Sequence, residues 1–586
     1  TTQTLDPVIV TATRTELAAS EATASTIVIE RDDIERALPG DLAELLRFHS
    51  GLELGRNGGA GQFTSVFTRG GESNHTLVLV DGIRINPASA GGAALQNIAP
   101  ELIERIEIVK GPRTTLYGSD AIAGVVNIIT RSPSKDSANL EVRGGDDDTR
   151  GVSGGFTLAS ETRGVSVQAE QQTTDGIPVC SDGGSDRGYD RSSFNVQARQ
   201  QWGLSNTTAR FWHTQGNNER VDYCGDFGNN PLDQDFRNQV LELTSTLQLS
   251  KAWQSTVSLS RMVDRIEQQQ ANYLGEFDHI ETTRPRLDWQ NVIALGAQRI
   301  SLGADWARES VRSRSFGNTY DIDTDVVSAY LQDEISQGPH RVLGALSYTD
   351  HEGFGERLNW NADYGYQWLA ATRLVASAGT GFRAPDADDR FGFGGDPDLK
   401  AEKSRSLEIG VQQGLGVRHQ LDLRAFQANV DDLIVVVFDP ANDPDVDFGF
   451  RAVNIARYRN RGVEATYRGS LGALRWMLSG IEQRPRDRDT DEPLLRRAKR
   501  SATLSLVQGI ASHEIGIDVL ASGQRPDVGG VTDGGYTLLN LNGRLRFTPA
   551  WSLGLRVENL LDKDYVTAAG YRQPGIGAYL SLRYSI

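Results

Sequence analysis

From about residue 138 to its end the chain repeats one signal: short segments in which apolar and polar side chains alternate, punctuated by turn residues. A period of two sends successive side chains to opposite faces of a strand, so each segment has one apolar and one polar face. "WSLGLRVENL" shows it, with Trp551, Leu553, Leu555 and Val557 opposite Ser552, Gly554, Arg556 and Glu558. The last stretch repeats it, setting Leu580, Leu582, Tyr584 and Ile586 against Tyr579, Ser581, Arg583 and Ser585. About twenty-two such segments fill roughly 450 residues, near ten residues each, the strand length of a tilted transmembrane barrel. The competing reading is a soluble propeller or a row of sandwiches, but those folds bury most apolar strand faces in a core.

Connection length decides between the two. Tight turns at 159–164, 203–206, 250–253, 365–368 and 548–551 alternate with long polar connections at 175–191, 217–235, 383–402, 484–498 and 562–574. Short turns on one rim and long loops on the other are the outer-membrane pattern, and an even strand count lets the sheet close without an edge. If the first strand rises from the periplasm, every long loop lies outside the cell. There is no run of about 18 apolar residues, so no helix is expected to span a bilayer. No charged-then-apolar leader opens the sequence, as expected of a mature exported chain whose signal is gone.

A barrel this wide cannot fill its lumen with its own side chains, and barrels of about that size are plugged. The first 130 residues have the mixed character a plug needs. "RDDIERALPGDLAELLRFHSG" (31–51) carries Leu42, Leu45 and Leu46 at helical spacing and stops at Gly51. "TLVLVDG", "IERIEIVKG" and "GVVNIIT" read as short strands between glycine-rich loops, and "RSPSKDS" (131–137) as a linker. The expected organisation is a periplasmic segment at 1–15, an α+β plug at 16–131 and a 22-stranded antiparallel barrel at 138–586.

Other functions leave no trace. Net charge is −17 with no basic cluster, so no nucleic acid is expected as a partner. The 8 histidines are scattered, and neither a nucleophile elbow nor a Walker loop is present, so no enzyme is expected.

Specific motifs then enter. "FTRGGESNHTLVLVDGIRIN" (67–86) and "ELIERIEIVKGPRTTLYGSDAIAGVVNIIT" (101–130) resemble the plug signature of TonB-dependent outer-membrane receptors. "GTGFRAPDADDRFGFGGDPDLKAEKS" (379–404), "RNRGVEA" (459–465) and "VENLLDKDY" (557–565) resemble that family's carboxy-terminal signatures, in the right order. Within it, "GRNGGAGQFTSVFTRG" (55–70), "GPRTTLYGSDAIAGVVNIIT" (111–130) and "PLLRRAKR" (493–500) are most similar to the cobalamin transporters of Gram-negative bacteria. The remaining readings are a receptor for a ferric siderophore or other metal chelate on the same fold, and a non-transporting receptor or adhesin. Such barrels usually end in an aromatic residue, whereas this one ends in Ile586, with Tyr584 the nearest aromatic on that face.

The resemblance implies a monomer seated in outer-membrane lipid that imports cobalamin or a related corrinoid and is driven by the TonB complex of the inner membrane. It makes Asp6, Pro7, Val8, Ile9, Val10, Thr11 and Ala12 the TonB box, an extended segment that adds to the edge of a partner's sheet. Disorder in the free protein is expected at Val8, Ile9 and Val10. The ligand is expected on two apical plug loops, 55–63 and 86–92, where glycines let backbone groups approach closely. Asn57 and Gln62 there offer donors and acceptors to an amide-rich ligand. Phe63, Ser89 and Ala90 are further candidates, and Arg525 is a barrel-side contact by its place in the resemblance.

Cys180 and Cys224, the chain's 2 cysteines, fall in successive outer loops, where an oxidising compartment favours a bridge over two isolated buried thiols. The same loops carry Asp175, Asp182, Asp186, Asp190, Asp222, Asp226 and Asp233. Crowded carboxylates suit calcium, which orders the corresponding loops of the cobalamin transporters. Asp186 and Asp233 match those ligands best by position, and the bridge could do the same ordering in calcium's place.

Overall fold

Strands covering residues 137 to 585 pair in sequence order and close on themselves, the first with the last through Leu140↔Tyr584 and Val142↔Leu582. This computed structural model describes residues 8–221, 224, 230–270, 277–315, 318–438, 449–454 and 457–586. The barrel has 22 antiparallel strands, as the alternation requires. Along Pro231–Ser250, Leu241, Leu243 and Leu247 face outward and are exposed, while Asn238, Val240 and Glu242, on the alternate positions, are buried against the lumen. The apolar face meets lipid, and the polar face meets whatever fills the barrel.

Several strands are twice the expected length. Gly183–Trp202, Pro231–Ser250 and Asn318–Gln337 each run for 20 residues. Alternation marks only the part of a strand whose outer face touches lipid. Beyond it the outer face turns polar, as at Asp233, Asp235 and Arg237, and the pairing continues without that signal. Much of the expected loops at 175–191 and 217–235 is therefore strand. The turn expected at 365–368 is corrected too: Gly355–Leu369 runs through it, and the chain reverses at 370–371. Gly365 reads as a turn residue, but its missing Cβ makes room for the Arg373 guanidinium, 2.7 Å from where that atom would lie.

Inside the barrel sits a five-stranded sheet in the order Thr26–Glu30, Ile103–Lys110, Gly124–Thr130, Thr76–Val80, Ile83–Arg84. The stretch at 31–51 forms two helices, Arg31–Ala37 and Leu42–Leu46. Pro39 disfavours helix for the residue before it, and Leu38 ends the first helix in the left-handed region at φ +47°. Asp41 restarts the helix, its Oδ1 accepting from the Glu44 N–H at 3.0 Å. Leu42 and Leu46 are completely buried, each contributing about 1.5–3 kcal/mol. Their apolar cluster extends to three lumen-facing side chains of the wall, Trp212, Val240 and Met262.

Much of the remaining plug–wall contact is ionic. Arg69 binds Glu408 at 2.5 Å and Glu464 at 2.9 Å, lies 4.5 Å from the centroid of the Phe426 ring, and shares Glu464 with Lys110 at 3.2 Å. The plug is oriented along the axis. Glu16, Ser20 and Glu21 meet Arg299, Arg373 and Arg341 at the short-turn end, while the loops 55–63 and 86–92 lie at the long-loop end.

Replacing Arg69 by Met leaves Glu408 with Arg424 alone and Glu464 with Lys110 alone. Removing one partner of a buried pair costs about 3–5 kcal/mol, so the plug's thermal transition is expected to fall in differential scanning calorimetry. An unchanged transition would refute this role for Arg69.

Candidate functional site

The loop 55–63 joins the paired strands Leu52–Arg56 and Thr64–Thr68. It is pinned to the wall: Gln62 Nε2 donates to the Glu219 carbonyl at 2.8 Å and to Asn218 Oδ1 at 3.1 Å, and Asn218 Nδ2 donates to the Gly61 carbonyl at 2.7 Å. Gly61 has φ +72°, and a Cβ there would lie 2.2 Å from the Tyr189 ring, so the loop can seat only with glycine at this point. Buried Arg56 pairs with Asp41, the residue that caps the helix Leu42–Leu46. From outside, the connection at 559–576 closes on the same strand, with Thr567 Oγ1 donating to the Arg56 carbonyl at 3.0 Å and Gln573 Nε2 at 2.8 Å.

The loop 86–92 is braced from within by fully buried Asn86. Its Nδ2 donates to the Thr76 and Gly91 carbonyls at 3.1 and 2.8 Å, and its Oδ1 accepts from the Val78 N–H at 2.7 Å. The wall segment 384–401 docks on it, Ala387 N–H donating to the Ala88 carbonyl at 2.9 Å and Asp388 N–H to that of Ser89 at 2.8 Å. Burial, reinforced by Asp389, pushes the Asp388 carboxyl up to about 6.

The candidates thus divide. Phe63 and Ala90 are exposed at the mouth and Asn57 is half-buried, whereas Gln62 and Ser89 are buried, with the Gln62 amide spent on the wall. Arg525 is fully buried, paired with Glu53 at 3.1 Å and stacked on Tyr536 at 5.1 Å, so in this structure it joins plug to barrel. Asn218 and Gln573 hold the loops and lie in none of the motifs, while Asn86 closes the motif 67–86 without having been singled out.

Cys180 and Cys224 are bridged, with Cα atoms 5.4 Å apart. The tip of the hairpin containing Cys180 pairs with the connection 559–576: Ser181 N–H donates to the Gly570 carbonyl at 2.9 Å, and Arg572 N–H to that of Val179 at 2.8 Å. The bridge therefore steadies the segment that closes over Arg56. Asp186 and Asp233 are exposed on strands separated by Ser205–Val221. Among the described residues no three acidic, histidine or cysteine side chains converge to hold a cation. Asp222 and Asp226 lie outside the described residues.

At the other end, Val8–Ile9 pairs with Leu17–Ala18, and Ile9 is buried rather than loose. Glu107 holds the next two residues: one oxygen accepts from Val10 N–H at 2.8 Å, Thr11 N–H at 2.9 Å and Thr11 Oγ1 at 2.7 Å. Tyr117 donates to the Thr11 carbonyl at 3.1 Å, Gln332 of the wall to that of Thr13 at 3.1 Å, and Arg14 pairs with Asp288 at 2.9 Å. Asp6 and Pro7 lie outside the described residues. Where disorder is expected from the sequence at Val8, Ile9 and Val10, the fold pairs Val8–Ile9 with Leu17–Ala18 and docks Val10 and Thr11 on Glu107.

Residues 135–560 match the β-barrel family described as TonB dependent receptor-like, and residues 18–125 match the TonB-dependent receptor plug domain. Over 584 residues the chain is 30% identical to the vitamin B12 transporter BtuB of Vibrio vulnificus, covering 97% of this chain and 92% of that one. A crystal structure of a mutant ferric enterobactin receptor from Pseudomonas aeruginosa with enterobactin superposes with a TM-score of 0.84 at 17% identity, over 96% of this chain and 99% of that one. The siderophore receptor PirA of Acinetobacter baumannii gives 0.81 at 19% identity, over 96% and 98%.

Replacing Glu107 by Ala removes an acceptor that two backbone amides share. A hydrogen bond to a charged group contributes about 1.5–3 kcal/mol, so exchange at Val10 and Thr11 should rise by roughly one to two orders of magnitude. Hydrogen-exchange mass spectrometry reads this directly, and unchanged exchange would show that the segment is held elsewhere.

Proposed function

The chain belongs to the TonB-dependent receptor family of the Gram-negative outer membrane, and from that premise we propose that its cargo is cobalamin or a closely related corrinoid. The observation that carries this reading is the chemistry of the mouth. The two apical loops contain a single charged residue, Arg56, and it is buried on Asp41. What they expose is Phe63, Ala90 and backbone, beside half-buried Asn57. Such a surface suits a bulky, amide-rich ligand through apolar contact and neutral hydrogen bonds. A ferric siderophore is commonly anionic and calls for free arginines or lysines, which these loops do not offer. The Vibrio relative, named as a vitamin B12 transporter, supports the same choice, while the siderophore receptors share the fold at under 20% identity.

On this reading cargo settles on 55–63 and 86–92 beneath the segments 384–401 and 559–576. Its occupancy is passed to residues 6–12, which a TonB partner takes up by pairing with their backbone. The docking of Val10 and Thr11 on Glu107 keeps the segment out of reach until that signal arrives.

Titration calorimetry of the purified protein with cyanocobalamin and with ferric enterobactin tests the cargo. Heat with the first and none with the second is expected, and the reverse would overturn the reading. Deleting residues 6–12 should leave cyanocobalamin binding intact and abolish its uptake by cells. Continued uptake would sink the coupling step.

A further inference from the structure

The seal between plug and wall is uneven around the barrel. Ion pairs span it where Arg191 meets Glu101 at 3.8 Å, where Arg14 meets Asp288 at 2.9 Å, where Arg84 meets Glu309 at 3.5 Å, and where Arg69 meets Glu408 at 2.5 Å. One sector differs. Between the first plug helix and the wall strands Tyr458–Leu471, Leu474–Gln483 and Arg500–Ile510 lies a cavity of about 290 Å³, bounded by Ala37, Phe48 and His49 on the plug and by Met477 and Ser505 on the wall. Below it a cleft of about 1720 Å³ opens among the short turns, and the two share Arg468, Arg475, Trp476 and Met477. The two lie on either side of these four side chains, one at the periplasmic rim and the other at the level of Phe48.

Two features suggest what the cavity is for. Its roof is the stretch 44–53, held by Glu44 on Arg556 at 2.6 Å, by Arg47 donating to the Tyr565 hydroxyl at 2.9 Å, and by Phe48 in the cluster of Leu520, Tyr536 and Leu538. That stretch runs straight into Leu52–Arg56 and the apical loop 55–63, so a shift at the mouth reaches the roof through one continuous strand. The second feature is charge. Arg475 is held by Glu514 at 2.8 Å, and burial pushes the His49 imidazole down to about 4, leaving it neutral. Arg468 lines the cavity and has no hydrogen bond or ion pair of its own among the described residues, because the nearest acid, Asp422, is engaged by Arg424 at 2.6 and 3.0 Å.

We propose that cargo leaves the plug on this side, along the wall of strands Tyr458–Leu471, Leu474–Gln483 and Arg500–Ile510, and that Arg468 receives an anionic group of the cargo on the way. The phosphodiester of a corrinoid is a group of that class. The proposal rests on the import reading above. It places the exit where the seal is already open below Glu464, so that the roof and the pairs of Glu464 with Arg69 and Lys110 must move.

The test has two independent parts. Both native cysteines are bridged, so a new thiol reports alone. Met477→Cys in otherwise intact protein should react with a charged methanethiosulfonate reagent without ligand, and failure to react would show that the cavity is closed to water and overturn the proposal. In cells, Arg468→Gln and Ser505→Trp are each expected to keep the wild-type Kd for cyanocobalamin. Both should slow its uptake, by roughly tenfold for the lost charge-assisted contact, and Arg468→Lys should restore most of the rate. Wild-type uptake in both Gln and Trp variants would overturn the proposal. A wild-type protein that imports no cyanocobalamin would instead refute the cargo reading, while the thiol result would still decide whether the path is open.

Discussion

A barrel of 22 strands encloses a lumen lined by polar side chains, and that constraint governs the rest of the molecule. Lumen-facing carboxylates and guanidiniums buried by a plug must be paired, because an uncompensated buried charge costs several kcal/mol. The plug therefore meets the wall as a set of matched charges, among them Arg69 between Glu408 and Glu464, where all three side chains are buried. Such a seal is specific in register and can still be parted, since each pair can be exchanged for water when the plug shifts. A purely apolar seal would have no such alternative partner. The main apolar cluster of the plug reaches the wall at Trp212, Val240 and Met262, on the side away from the proposed exit.

The two ends of the plug do different work with the same device, a loop or segment held by a few buried polar groups. At the mouth, Gln62 and Asn86 spend their amides on holding loops in shape, leaving backbone and small side chains for a ligand. At the periplasmic end, Glu107 gathers three hydrogen bonds from Val10 and Thr11. Between them runs a short mechanical connection, from the loop 55–63 through Arg56 and Asp41 to the helix Leu42–Leu46. Asp41 stands at its centre, capping the helix with one oxygen and pairing Arg56 with the other, so the mouth and the roof of the exit cavity share one carboxylate.

The amino-acid sequence by itself determined the barrel, its strand number, its two unlike rims and the plug strands, because lipid contact forces a period of two and a wide lumen forces a filler. It also placed both cysteines on the outer rim. It did not reveal that hairpins near 175–191 and 217–235 continue as strand, since outside the membrane neither face needs to be apolar and the alternation stops while the hydrogen bonding goes on. Only the tertiary structure decided which side chains are free to meet a ligand. Gln62, Ser89 and Arg525 look available in the sequence and are buried in the fold, while Phe63 and Ala90 remain open. The docking of Val10 and Thr11 was likewise invisible, because their partner Glu107 lies nearly a hundred residues away and no local pattern joins them. Local chemistry writes periodicity into a sequence, but burial depends on which distant surfaces meet, and that is settled only when the chain has closed.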